Sequence, residues 1–346
     1  MSRTSVWSDR VGWRIALATV LLIVLVLGAP VPSSEAHTCT PDPSVGVSGR
    51  LLVPRGSAVA SISLPSRETT MLTITPSQGN AAGVSSSPDG TMLAVPRFWR
   101  PPQHQVGGQD ILLVGPGGGE PVGSLQRSQP GEVLGQPAWL PDGSLIYERR
   151  TLSGSNEAVR IERARLGQPG QVLADGASSP GVSPDGSLLA MVRFTDRDRL
   201  VVRPTGDGPE RVLVDTPHLL SITFPRFSPD GAWIAFTAAA DPGVAPPAGF
   251  VLPALGGGMS GLLGAIGPRP AYAHGIPWDV WVVRPDGSSL RQVTSFADDD
   301  SSVAWSPDGR WLVTLSAEAL HVVALDGPEN FCISSEGGYG ALEWLP

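Results

Sequence analysis

A turn of the form x-Pro-Asp-Gly occurs six times in this chain; one, Arg284-Pro285-Asp286-Gly287, reads as joining a third strand to a fourth, and the other five are each followed by a largely apolar run. Those five are Ser87-Pro88-Asp89-Gly90, Leu140-Pro141-Asp142-Gly143, Ser183-Pro184-Asp185-Gly186, Ser228-Pro229-Asp230-Gly231 and Ser306-Pro307-Asp308-Gly309. The runs after them read TMLAVPRF, SLIYERR, SLLAMVRF, AWIAFTA and RWLVTLS. Asp89, Asp142, Asp185, Asp230 and Asp308 stand 53, 43, 45 and 78 residues apart. Recurrence on this scale marks one supersecondary unit copied around an array. The first three steps suit a four-stranded propeller blade. The last suits one blade carrying a long insertion.

The turn chemistry explains the motif. Proline presets φ at the second turn position, the Asp side chain accepts bonds from nearby backbone N–H groups, and glycine takes the left-handed conformation without a Cβ clash. This is a hairpin loop closed by a bulge. In residues 301–334 the parse is a strand at 301–305, the turn, and strands at 310–315, 320–324 and 331–334. The second strand is nearly all apolar, as a strand buried on both faces must be. The same parse opens blades at Ala138-Trp139, Gly181-Val182 and Phe224–Phe227, the last resuming only at Trp278 after the insertion.

The two ends of the chain read as parts of one further blade. Glu343-Trp344-Leu345-Pro346 matches Ala138-Trp139-Leu140-Pro141 and then stops. Gly49-Arg50-Leu51-Leu52-Val53 matches Gly309-Arg310-Trp311-Leu312-Val313. The expected fold is therefore all-β: a six-bladed β-propeller of four-stranded blades, in which N- and C-terminal strands share one blade. Closing the array this way removes exposed sheet edges.

Before this domain lie Arg3, Arg10 and Arg14 and an uncharged run from Ile15 to Leu27, which fits a signal h-region and is short for a membrane span. The expectation is a signal peptide over residues 1–36, cut after Ala36, with an uncleaved anchor as the alternative. The propeller then spans 37–346, with an insertion at 241–277. An exported chain meets an oxidising compartment, where Cys39 and Cys332, its only cysteines, are expected to pair. The formal charge is −8 and every one of the 24 basic residues is arginine. Such a balance excludes nonspecific nucleic-acid binding, which needs a basic stripe.

The turn and the run Phe227–Phe236, together with Trp281–Thr294, resemble the repeats of TolB-type, WD-repeat-like propellers from bacterial cell envelopes. The resemblance covers roughly residues 47–346. It implies the propeller fold and a place outside the cytoplasm. Propellers of this kind act as protein-docking platforms, as accessory domains of peptidases, or as lyases. No stretch of these residues reads as the separate N-terminal α/β domain of TolB, so the resemblance is expected to extend to the propeller only.

Few residues invite chemistry. Gly258-Met259-Ser260-Gly261 lacks the second half of a nucleophile elbow. His37, His104, His218, His274 and His321 show no ligand spacing, and Asp298-Asp299-Asp300 reads as a solvated loop more readily than a cation site. No catalytic residue, metal or cofactor is therefore expected. Two features point to binding instead. The insertion carries apolar candidates, Phe250, Leu252, Leu262 and Leu263. Seven residues after the turn glycine, Arg97, Arg150 and Arg193 close three successive second strands, so they should share the propeller face that carries the insertion. They would steer an acidic partner, unless each pairs with a local carboxylate such as Glu148, Asp196 or Asp198. The expected function is that of an exported, non-enzymatic platform for another envelope or extracellular protein, with membrane contact through the N-terminal segment or the insertion. The alternatives are an extracytoplasmic lyase or hydrolase using the propeller channel, and a membrane-anchored sensor.

Overall fold

The computed structural model describes residues 39–42, 46–153, 156–241, 278–296, 298 and 301–346. The segment 1–36, insertion residues 242–277 with Phe250, Leu252, Leu262 and Leu263, and Asp299 and Asp300 lie outside the described residues. No helix occurs among the described residues.

The strands follow one another in short meanders. The first runs through β1 (Gly49–Arg55), β2 (Ala58–Leu64) and β3 (Thr69–Thr73). The second begins with two short pieces, β4 (Asn80–Ala81) and β5 (Ser85–Ser86), then β6 (Leu93–Trp99), β7 (Gly108–Gly115) and β8 (Gly118–Leu125). The third contains β9 (Val133–Trp139), β10 (Leu145–Ser153), β11 (Asn156–Ala164) and β12 (Gln171–Asp175). The fourth contains β13 (Ala177–Val182), β14 (Leu188–Phe194), β15 (Asp198–Pro204) and β16 (Arg211–Val214). The fifth contains β17 (Leu219–Phe227), β18 (Ile234–Ala240), β19 (Trp278–Val283) and β20 (Arg291–Gln292). The last contains β21 (Ser302–Trp305), β22 (Trp311–Leu315), β23 (Leu320–Ala324) and β24 (Asn330–Ser334), and β25 (Glu343–Leu345) ends the chain.

Four of the sheets have four antiparallel strands each, in the orders β25-β1-β2-β3, β13-β14-β15-β16, β17-β18-β19-β20 and β21-β22-β23-β24. The second and third meanders form one nine-stranded sheet, joined by a single parallel bridge between Gln109 and Val133. There Gln109 Nε2 donates to the Leu134 carbonyl at 2.9 Å. The first sheet joins the two ends of the chain: Arg50, Leu51 and Leu52 of β1 stand opposite Leu345, Trp344 and Glu343 of β25.

The core sits between meanders and follows from period-two alternation within the second strands. In β14, Leu189 and Met191 face a layer shared with Ile146 and Ile161 of the third meander. Ala190 and Val192 face the opposite layer, with Phe236 and Trp281 of the fifth. In β22, Leu312 packs against Val280 and Val282, while Val313 and Leu315 pack against Leu51 and Val53. The second strands β14 and β22 are thus largely apolar because both their faces are interior. Trp281, Phe236 and Leu51 are completely buried.

Candidate partner-binding face

The repeated turns occupy one end of the sheets and are structural. Gly90, Gly143, Gly186, Gly231 and Gly309 all have φ between 69° and 76°. In the third turn, Ser183 Oγ donates to Asp185 Oδ1 at 2.6 Å and accepts from Leu188 N at 2.9 Å. The Ser187 amide donates to the same Asp185 oxygen at 3.0 Å. Ser87, Ser228 and Ser306 repeat this relay with Asp89, Asp230 and Asp308. Leu140 cannot, so Ser144 Oγ donates to Asp142 instead, at 2.6 Å. The Ser183 hydroxyl, with the Ser187 amide and hydroxyl, holds the Asp185 carboxyl down at about 2.

In an antiparallel meander whose first strand ends at the turn, second strands finish, third strands begin and fourth strands finish at the opposite end. That end carries Arg97, Arg150 and Arg193, in β6, β10 and β14. β18 ends there at Ala240 and β19 begins there at Trp278. The three arginines are not alike. Arg150 pairs with Glu148 at 2.9 Å and with Glu157. Arg193 pairs with Glu210, through Nε at 2.9 Å, and also reaches the Asp175 carbonyl. It does not take Asp196 or Asp198: Asp196 pairs with Arg199 at 2.9 Å, and Asp198 accepts from the Ile222 amide at 3.0 Å. Arg97 departs from the expectation of a projecting rim cation. It is only 4 % exposed, because β7, β8 and the loop after β3 close over it.

Two aromatic side chains stand beside these arginines. Phe98 and Phe194 follow Arg97 and Arg193 directly and remain 45 % and 41 % exposed. Phe194 lines an open groove of about 450 Å³ with Arg150, Glu157, Val159 and Asp175. The groove runs between the third and fourth meanders. The local sequence accounts for it: alternation turns Arg193 toward Glu210, and the next residue, Phe194, faces the other way at the strand end.

Sequence reasoning misses two further features. The first is a buried network in β10. Arg149 bonds Glu132 at 2.9 Å and Glu162 at 3.0 Å, and the Tyr147 hydroxyl donates to Glu162 at 2.5 Å. Burial and the bond to Glu162 push the Tyr147 hydroxyl up to about 12. Burial disfavours the Glu162 charge, but the Tyr147 and Arg149 bonds outweigh it and leave the carboxyl below its ordinary value. The motif Tyr147-Glu148-Arg149-Arg150 inside an otherwise apolar second strand was the available signal.

The second lies on first strands. Gln136, Ser179 and Phe224 have φ of 48°, 53° and 52°, and each precedes a proline. Pairing with the second strand shifts register at each of these places, as bulges at edge prolines do. Beside them stand Arg226 and Glu343. Burial lowers the Arg226 pKa against the pull of Glu343, and burial raises Glu343 against Arg226 and its bonds to Ser85 and Ser86. An x-Pro step with its proline three residues before the turn motif was the signal.

Cys39 and Cys332 form a disulfide with Cα atoms 5.4 Å apart. His321 lies near enough that the three residues bring ligand-type atoms within 4.8 Å, but sulfurs bonded to each other are not the thiolates a metal takes. His218 packs edge-on to Trp281 at 6.0 Å, and His274 lies outside the described residues. Asp298 is buried, and its carbonyl accepts from the Trp278 amide at 2.9 Å.

The family described as WD domain, G-beta repeat matches residues 287–318. The chain is 30 % identical over 146 residues to the uncharacterized peptidase YuxL of Bacillus subtilis (strain 168), covering 40 % of this chain and 21 % of that protein. It therefore matches about a fifth of that relative's length. The structure superposes on TolB from Acinetobacter baumannii with a TM-score of 0.56 at 15 % identity, covering 99 % of this chain and 74 % of the other. It superposes on a TolB-assigned structure from Agrobacterium tumefaciens with a TM-score of 0.54 at 15 % identity, covering 87 % and 100 %.

Proposed function

We propose that this chain, a TolB-like, WD-repeat-like β-propeller in fold, is an exported, non-enzymatic platform that binds another protein of the cell envelope or extracellular space. In this reading the meanders are six blades, one of them shared by β1–β3 and β25. Residues 1–36 deliver the chain across the membrane, as a cleaved signal or as an anchor, and 37–346 form the propeller. The Cys39–Cys332 disulfide supports an oxidising compartment.

The observation that carries the reading is the end of the sheets opposite the turns. Phe98 and Phe194 are exposed there, next to arginines. The Arg150 and Arg193 charges are already met by Glu148, Glu157 and Glu210. Exposed aromatic anchors inside a charge-compensated polar rim match the composition of protein interfaces. The insertion, with Phe250, Leu252, Leu262 and Leu263, departs from β18 and returns to β19 at this same end and would add apolar surface. The test is site-specific photo-crosslinking in the native envelope. A crosslinker at position 194 or 98 should trap a protein partner, and one at Asp185 on the turn side should not. Crosslinks from the turn side alone would overturn the assignment.

The match to YuxL favours a second reading, a propeller that serves a peptidase. It would gain weight if the crosslinked partner were a peptidase whose substrate range changes when this chain is absent.

A further inference from the structure

Arg97 presents an unmet demand. Its side chain is 4 % exposed, and its Nε and Nη2 donors have no hydrogen-bond partner among the described residues. A guanidinium keeps its charge in proteins, and burying a charge without a partner is costly. The residue directly opposite on β7 is Asp110, the natural counter-charge, yet its carboxylate is committed elsewhere. Asp110 Oδ2 accepts from Trp99 Nε1 at 3.1 Å, and Oδ1 accepts from the Arg127 amide at 2.8 Å. The Arg127 guanidinium lies 5.5 Å over the Trp99 ring and 3.9 Å from the same carboxylate. Asp110 is thus held as the anchor of a Trp99–Arg127 wall rather than as a partner of Arg97.

Arg97, Trp99 and Asp110 line a pocket of about 200 Å³, together with Gln78, Ser124 and Gln126. Gln78 comes from the loop between β3 and β4, and the others from β6–β8 and just beyond, so two neighbouring meanders build the walls. Burial with no compensating charge pushes the Arg97 pKa below the ordinary arginine value.

We propose that this pocket is a carboxylate-binding site, with Arg97 as its receptor. The two unmet donors, Nε and Nη2, lie on one edge of the guanidinium, the planar fork that a carboxylate engages with two parallel bonds. The volume is below the usual range for drug-sized ligands and suits one carboxyl group on a short aliphatic stem. The neighbouring Asp110 charge disfavours a phosphate dianion more than a monoanionic carboxylate. The neutral hydroxyl of Ser124 and amides of Gln78 and Gln126 offer hydrogen bonds without adding charge. The carboxylate comes either from a free small acid or from an acidic side chain of a docked peptide; the chemistry is shared.

The test uses the full chain in chloride buffer and follows the Arg97 Nε–H resonance by nitrogen-edited NMR, assigned with Arg97→Lys. The probes are acetate, a short N-acetylated aspartyl peptide and inorganic phosphate. Acetate and the peptide should shift the resonance downfield and saturably. The Arg97→Met variant should keep the wild-type melting temperature in chloride and lose the thermal stabilisation that acetate gives. Arg97→Lys should bind roughly tenfold more weakly, because an ammonium loses the bidentate fork. A peptide affinity roughly tenfold or more above acetate assigns the source to a docked partner; equal affinity assigns it to a free acid. Either supports the site. Three results would overturn it: no shift with acetate or peptide, a shift by phosphate as large as that by acetate, or acetate stabilisation that survives Arg97→Met. The wild-type resonance decides the matter even if a variant fails to fold.

Discussion

At the scale of single residues, the turn serine is worth as much attention as the aspartate. Ser183 Oγ both donates to Asp185 and accepts from Leu188 N, so it locks the turn onto the following strand. Ser183→Ala should destabilise the domain by about 1 kcal/mol, readable in urea unfolding. The pH dependence follows from the aspartates. Asp185 titrates at about 2 in the folded chain against an ordinary value of 3.8, and Asp89, Asp142, Asp230 and Asp308 are lowered as well. A depressed carboxyl pKa means that the unfolded chain binds more protons through this window. The stabilisation is therefore complete above the unfolded value near 4 and is lost as pH falls toward 2. Melting temperature measured from pH 5 to pH 2 should fall, and the fall should be shallower when Asp185 and Asp230 are replaced by Asn. Gly181 gives a third residue-level outcome. A Cβ there would collide with the Pro225 carbonyl of the neighbouring first strand, so Gly181→Ala should cost roughly 1–3 kcal/mol.

At the scale of elements, the decisive pairing is β1 with β25. Three residue pairs join the chain ends, and Leu342 and Trp344 bury themselves in the layer formed by Leu51, Val53, Val313 and Leu315. Trp344 Nε1 also donates to the Ser48 carbonyl at 3.1 Å. Trp344→Ala should cost about 3–5 kcal/mol. Removing residues 341–346 exposes a strand edge as well, so that truncation should melt early and self-associate, as seen by calorimetry and sedimentation. The disulfide ties the segment before β1 to β24 across a separation of 293 residues. In the chain-entropy account, closing so long a loop contributes up to about 5 kcal/mol. Reduction should lower the melting temperature accordingly, and an unchanged melt would show that the residues around Cys39 are already held by other contacts.

At the scale of the whole molecule, the proposal separates binding from folding. Phe98 and Phe194 are exposed and contribute little to the core, so Phe98→Asp with Phe194→Asp should leave the melting temperature nearly unchanged while abolishing the crosslinked partner. Deleting residues 244–274 should do the same if the insertion docks the partner. A deletion that unfolds the domain would instead make the insertion part of the packing.

The strand order and the closure were legible in the sequence because both rest on local rules. A Pro-Asp-Gly turn fixes its own dihedrals, and a nearly unbroken apolar strand can only be interior, so β21–β24 lie within a residue or two of their expected places. The termini were legible for the same reason: Glu343-Trp344-Leu345 and Gly49–Val53 carry halves of one local pattern. The arginines were not. Arg97, Arg150 and Arg193 hold the same place in the repeat, and only Arg150 has a carboxylate, Glu148, two residues before it on its own strand. Glu157 of the next strand and Glu148 meet Arg150, and Glu210 of the outer strand meets Arg193. Around Arg97 the opposite carboxylate is taken by Trp99 and the Arg127 amide. The sequence determines the repeat, because turns and alternation act over a few residues. Tertiary structure decided which arginine is neutralised and which is left buried and open, because apart from Glu148 the charge partners come from other strands and loops of the same meander, brought alongside only when its sheet forms.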